Sequence, residues 1–244
     1  MSKALLALWN DYPTSLTDEY ETWHSFEHVP ERMTTPGMLS ATRFGILGEE
    51  RNRFFTLYAL EELDVLQHPQ YLDLVRHPTE WSVRMRQYFL NVLRIPTTIC
   101  SQEGSVRGGR AIVQAWSVEK ACAEGVAYRL GEMLKTAIGF GQILNFSLGL
   151  AEPNQFYEVF EQSDMTDPDT LNVVIIAEGS NQKTLETFRA DLKAALLEFT
   201  RPRSCLRDDI FELLAVYPKH DDRVTRADLR ATTALRARFV SLTE

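Results

Sequence analysis

The run Trp23-His24-Ser25-Phe26-Glu27-His28-Val29-Pro30-Glu31-Arg32 decides how this chain is read. On a helical wheel Leu16, Tyr20, Trp23 and Glu27 fall on one stripe, at i, i+4, i+7 and i+11. Three of the four are apolar or aromatic, which makes the stripe a buried face, and the fourth is a carboxylate. His24 and His28 run beside it, and Glu31 stands one turn beyond Glu27. An acid and two imidazoles on the inner edge of a helix are costly to bury without partners. The stretch therefore reads as a site, carried on a helix that packs against a sheet.

The sheet is legible on both sides of that helix. Residues 3–9 read as a strand, 15–29 as the helix, and 38–46 and 53–60 as strands. Pro36-Gly37 marks the helix-to-strand turn and Glu49-Glu50-Arg51-Asn52 a hairpin loop. A helical region over 66–89 is interrupted by Pro69 and Pro78, each able to open a new segment at its first turn. A strand over 93–100 follows. Beyond a polar, glycine-rich linker at 101–109 the order recurs: strand 110–116, helix 118–136, strands 142–151 and 171–177, helix 181–199, strand 210–216. An insertion at 152–170 is long for a hairpin loop and is expected to carry structure of its own. Each half is thus a β-α-β-β-α-β, ferredoxin-like unit, and the fold class is α+β. A four-stranded sheet with helices on one side leaves its other face bare. Two such units can bury those faces against each other, sheet to sheet, as a pseudo-dimeric α+β barrel. The expected organisation is an N-terminal unit over 1–103 carrying the site, a degenerate C-terminal unit over 108–218, and a helical tail over 219–244.

Composition narrows the partners. A net charge of -8 over 244 residues argues against nucleic-acid binding, which wants a concentrated basic surface. No apolar run approaches a membrane span, and no cleavage site follows Met1-Ser2-Lys3, so no membrane contact and a cytoplasmic location are expected. Cys100, Cys122 and Cys205 are scattered without a CxxC pair and read as reduced thiols. The tail's basic residues (Lys219, Arg223, Arg226, Arg230, Arg236, Arg238) outnumber its acids, with Leu229, Leu235 and Phe239 interspersed. Packing or a homodimer contact is the expected role.

Trp23-x3-Glu27-His28-x-Pro30-Glu31-Arg32, followed by Pro36-Gly37 and Arg43, resembles the first repeat of dimeric α+β barrel proteins of the EthD-like and muconolactone-isomerase-like kind. His68-Pro69-x-Tyr71 and Pro78-Thr79-x-Trp81-x2-Arg84-Met85-Arg86 resemble the second helical region of a bacterial branch of that superfamily. The resemblance covers 3–100 by residues and 110–217 by element order alone. It implies a small ligand held between helices and sheet, and proton transfer by a histidine near the end of the first helix, where His28 stands. It also implies substrates of aromatic catabolism or secondary metabolism. The chain departs from the resemblance by fusing two units and by lacking any histidine between His77 and His220, so one pocket, in the N-terminal unit, is expected.

From the residues, His28 is the expected acid or base and Glu27 its partner. Arg43, with Arg84, is a candidate clamp for a substrate carboxylate, and His24, Trp23 and Trp81 are candidate walls. Arg32 could join that clamp, but it reads rather as a solvated partner of Glu31 or an interface residue. His24-Ser25-Phe26-Glu27-His28 also fits H-x-x-E-H, but a catalytic zinc wants a third protein ligand and Pro30 interrupts the helix, so no metal is expected. The expected pocket lies between the first helix and the N-terminal sheet, lined by Trp23, Glu27, His28, Arg43 and Trp81. The leading reading is a cofactor-independent isomerase or lyase acting on a carbonyl- or lactone-type small molecule. The alternatives are a monooxygenase of the same fold, haem-binding through a helix histidine or cofactor-free, and a non-catalytic binding protein.

Overall fold

The computed structural model describes residues 2–153, 157–160, 167–221, 224–229 and 231–239. The N-terminal half contains β1 (Ala4–Pro13), α1 (Thr17–Trp23), α2 (Val29–Met33), β2 (Met38–Ile46), β3 (Arg51–Leu60), α3 (Pro69–Arg76), α4 (Glu80–Arg86) and β4 (Leu90–Glu103). The C-terminal half contains β5 (Arg110–Glu119), α5 (Lys120–Gly139), β6 (Asn145–Ala151), β7 (Thr170–Gly179), α6 (Gln182–Phe199) and β8 (Ser204–Pro218), and a short α7 (Thr233–Ala237) lies in the tail.

The strands are hydrogen-bonded in the order β1-β3-β2-β8-β5-β7-β6-β4, and the last closes on the first. Within each half this is the ferredoxin-like arrangement. The two sheets do more than face each other, because they join edge to edge. β2 pairs with β8 from Ser40 opposite Pro218 to Gly45 opposite Glu212, and β6 pairs with β4 from Leu150 opposite Thr98 to Phe146 opposite Glu103. Closure leaves no free sheet edge. It also accounts for part of the length by which β4 and β8 outrun the ranges their sequence suggests: 101–103 of β4 bond to β6 and 217–218 of β8 bond to β2, pairings that demand no apolar side chain, whereas 204–209 of β8 pair with β5 in their own half.

Period-two alternation sorts each strand's side chains between lumen and helices. From β1, Leu5, Ala7 and Trp9 enter the lumen with Phe44, Phe55, Leu93, Val113, Val174 and Phe211. Ala4, Leu6 and Tyr12 face the helices instead. On the C-terminal half the helix-facing space is filled by apolar residues of α5 and α6, including Leu130, Leu134, Phe188 and Leu192. On the N-terminal half that space is lined partly by charged and polar side chains.

The first helix differs from expectation at Pro30. It does not stop there, because His24–His28 forms a π turn, with the Val29 N–H donating to the His24 carbonyl, and α2 continues directly with Pro30 in its first turn. A proline inside an α-helix lacks a donor and presses on the carbonyl four residues back, here Phe26. A widened turn relieves that contact, and such turns are frequent at functional sites.

Two segments from outside the N-terminal unit cover these helices. In the tail, Arg226 Nε donates to Glu31 at 3.0 Å, Arg236 Nε donates to Glu27 at 3.1 Å, and the buried Phe239 stacks on Trp81. The tail is therefore a strap with one short helix; the expected residues Arg223, Arg230 and Glu244 lie outside the described residues. Of the 152–170 insertion, 154–156 and 161–166 also lie outside them. Its residues 157–160 reach the N-terminal unit, where Phe160 stacks on Phe89 and Arg94 lies 4.6 Å from the Tyr157 ring centroid.

Candidate active site

The π turn determines which side chains meet the sheet. Residues spaced by four drift about 40° per step around a regular α-helix. The inserted residue of the π turn takes up that drift, so Tyr20, His24, His28 and Arg32 follow one another along one face. His24 stacks on Tyr20, with ring centroids 5.1 Å apart, and lies 5.1 Å from His28, whose ring is 4.6 Å from that of Trp23. With Thr56 and Tyr58 from β3, Tyr71 from α3 and Arg86 from α4, the side chains of Trp23, His24, His28 and Arg32 line a chamber of about 30 Å³. Such a chamber holds a water molecule or a small ion.

Glu27 takes a different place. The π turn rotates it away from the chamber, and its fully buried carboxylate accepts hydrogen bonds from Thr79 Oγ1 and from Arg236. Arg43 is buried, but both its terminal nitrogens bind the Glu21 carboxylate at 2.9 Å and one also donates to Ser25. Arg84 pairs with Glu19, which also accepts from Trp81 Nε1 at 2.7 Å, and Trp81 faces Phe239. Of the expected lining, the structure brings Trp23, His24 and His28 to the chamber and gives Glu27, Arg43, Trp81 and Arg84 structural partners around it.

Arg32 requires a correction. It is not a solvated partner of Glu31: it is 7% exposed, and its Nη1 has no hydrogen-bond partner among the described residues. Glu31 has turned to Arg226. Two further buried polar atoms on residues lining the chamber, His24 Nδ1 and Thr56 Oγ1, also lack partners among the described residues. Arg86 donates to the carbonyls of Val75 and Leu74, and burial and Arg32 lower its pKa to about 10. Among the described residues no carboxylate lines the chamber.

This charge distribution fixes the protonation of the histidines. Burial, reinforced by Arg43, His28 and Arg32, pushes His24 well below the ordinary imidazole value. Burial, Arg32 and Arg86 do the same to His28. Both rings are therefore neutral at pH 7. Burial pushes the Tyr71 hydroxyl up, but Arg94, which donates to it at 3.4 Å, and Arg32 more than offset this, so its pKa lies below the usual phenol value.

Tyr71 and Tyr157 also border a larger cavity of about 700 Å³. Leu66, Leu72, Val75, Leu150 and Leu171 give it apolar walls, and Arg94 reaches it from β4. Its size suits a small organic molecule. No histidine borders it among the described residues, so ligation of a haem there by a helix histidine does not fit, and the inner chamber is far too small for a macrocycle. Among the described residues no group of three His, Cys, Asp or Glu side chains could hold a metal ion, and no helix is long and apolar enough to cross a membrane.

Arg32, Arg86, Thr56 and Tyr157 were not expected as site residues. The stride of four from Tyr20 to Arg32 was visible in the sequence, but only a π turn makes it one face. Tyr157 had no sequence signal, because it arrives from the other half.

No protein-family model and no curated protein matches the sequence. Solved structures do. An anthrone oxidase-like protein aligns over 91% of this chain and 97% of its own, with a TM-score of 0.62 at 9% identity. The chain has the dimeric α+β barrel fold, built in tandem. A proposed monooxygenase from Fusobacterium nucleatum aligns with this tandem barrel over 89% of the chain and 95% of its own, with a TM-score of 0.55 at 8% identity. Another, from Lactobacillus acidophilus, covers 89% and 97%, with a TM-score of 0.50 at 10% identity. At such identities the likeness shows the fold of the tandem barrel and assigns no site.

Proposed function

We propose that this tandem barrel is a cofactor-independent oxygenase acting on a small molecule with a C–H bond acidified by a neighbouring carbonyl. The observation that carries the reading is the inner chamber: two neutral imidazoles beside a buried guanidinium that has no carboxylate partner among the described residues. The body of the substrate occupies the larger cavity, and its reactive end passes Tyr71 and Tyr157. His28 accepts the proton, with His24 beside it as second carrier. Arg32 stabilises the oxyanion that forms as the carbonyl becomes an enolate. The two charges support each other, since an oxyanion in the chamber raises the affinity of the neighbouring imidazole for the proton. The carbanion then meets O2: an activated methylene becomes a carbonyl, one oxygen atom enters the product and the other leaves as water. The substrate supplies all four electrons, so no external reductant is required. The descriptions of the similar structures, anthrone oxidase-like and monooxygenase, support this outcome for the carbanion.

A second reading, isomerase or lyase, shares the proton abstraction and ends in reprotonation. The closeness of His24 to His28 favours it, because two adjacent carriers can take a proton at one carbon and return it at another. An oxygen electrode separates the two. With anthrone as probe and no added reductant or metal, the oxygenase consumes O2 in proportion to substrate, and His28→Ala lowers kcat by roughly 10²–10⁴. Turnover to an isomer with no O2 uptake removes the oxygenase reading and leaves the isomerase.

A further inference from the structure

We infer that the inner chamber is a small-anion site, occupied in the resting protein by a monovalent anion of about halide size that a substrate oxyanion must displace. Buried polar atoms in native proteins almost always have partners. Here Arg32 Nη1, His24 Nδ1 and Thr56 Oγ1 belong to residues lining one chamber, and none has a partner among the described residues. Their side chains are at least nine-tenths buried. A water molecule would satisfy the hydrogen bonds and leave the charge.

The charge selects the occupant. Arg32 and Arg86 both line the chamber, both histidines are neutral, and the nearest acids along the helix, Glu27 and Glu31, are taken by Arg236 and Arg226. A buried guanidinium, Arg32, beside a half-buried one, Arg86, with no carboxylate partner for either among the described residues, is unfavourable, and one monovalent anion between them offsets much of that cost. A volume of about 30 Å³ limits the guest to one or two heavy atoms and excludes sulfate or a phosphate ester. The Trp23 indole, which also lines the chamber, provides an optical reporter.

Binding itself does not depend on the oxygenase reading; only the displacement by substrate does. The test compares sodium chloride with sodium gluconate at equal ionic strength, gluconate being too large to enter. The melting temperature is expected to rise saturably in chloride, by roughly 5–10 °C at a hundredfold excess over the dissociation constant. Bromide should quench Trp emission saturably, and both effects should be lost in Arg32→Met and retained in part in Arg32→Lys. Equal melting curves in the two salts, together with linear, non-saturable bromide quenching, overturn the site. If Arg32→Met fails to fold, the wild-type salt comparison and quenching curve still decide the matter. With the probe substrate, chloride should raise KM and leave kcat unchanged. Saturable chloride binding with no effect on KM would keep the anion site and refute the oxyanion's place in it, and so the proposed chemistry.

Discussion

Lowering the pH from 7.5 to 5 should destabilise this protein through the two chamber histidines. Their folded-state pKa values lie well below the ordinary imidazole value, because of burial and neighbouring arginines. As the pH falls, the unfolded chain takes up protons near its own pKa of about 6.5 while the folded chain does not. The stability these groups contribute is therefore present above that value and is lost as the pH falls towards the folded-state pKa. Linkage gives about 2 kcal/mol per histidine over this interval, or about 4 kcal/mol for both if neither is protonated in the folded state. His24, only 2% exposed, should deliver its full share, and His28, partly exposed, somewhat less. The assay is urea unfolding at closely spaced pH values above 5, where most carboxylates remain ionised. His24→Phe keeps the stacking on Tyr20 and should remove about 1.4 kcal/mol per pH unit from the limiting slope. An unchanged slope in His24→Phe and in His28→Phe would refute the claim that these rings are buried and neutral.

Arg236→Met should destabilise by roughly 2–3 kcal/mol, because it strands the fully buried Glu27 carboxylate; Glu27→Gln in the same chain should restore most of the loss, which a double-mutant cycle by denaturant unfolding would measure. Gly37→Ala should cost about 2 kcal/mol, since Gly37 has a φ of +86° and an added Cβ would strike Val65; a thermal melt unchanged within error would contradict that turn geometry. His28→Ala should abolish most turnover while shifting the melting temperature by only a few degrees. Unfolding of that variant would make His28 a structural residue.

What was legible in the sequence was local. The apolar run at residues 4–9, the Pro36-Gly37 turn and the helix-opening Pro69 and Pro78 are short-range signals of the β-α-β-β-α-β order in the N-terminal half. Barrel closure was legible only as sheets facing each other, because edge pairing of β2 with β8 is made by backbone groups and leaves little trace in side chains. The π turn was illegible for a related reason: Pro30 signals a broken helix, whereas a widened turn satisfies the same constraint and keeps the helix going. That one extra residue exchanged the places of Glu27 and Arg32, turning the acid to the tail and the arginine to the chamber. Glu27 and Arg236 are 209 positions apart, so no spacing rule could pair them. Tyr157 reaches the chamber from the other half, and nothing near it in sequence points there.

Deuterium exchange without oxygen tests the central claim most directly, because it isolates proton abstraction from whatever follows. Metal-free protein is incubated with anthrone in D2O under strict anaerobiosis, and label at the activated carbon is followed by mass spectrometry. The chamber chemistry predicts exchange well above the uncatalysed rate, reduced at least about 10²-fold in His28→Ala and in Arg32→Met. Exchange at the wild-type rate in both variants, or exchange that appears only when haem or a metal ion is added, would contradict it.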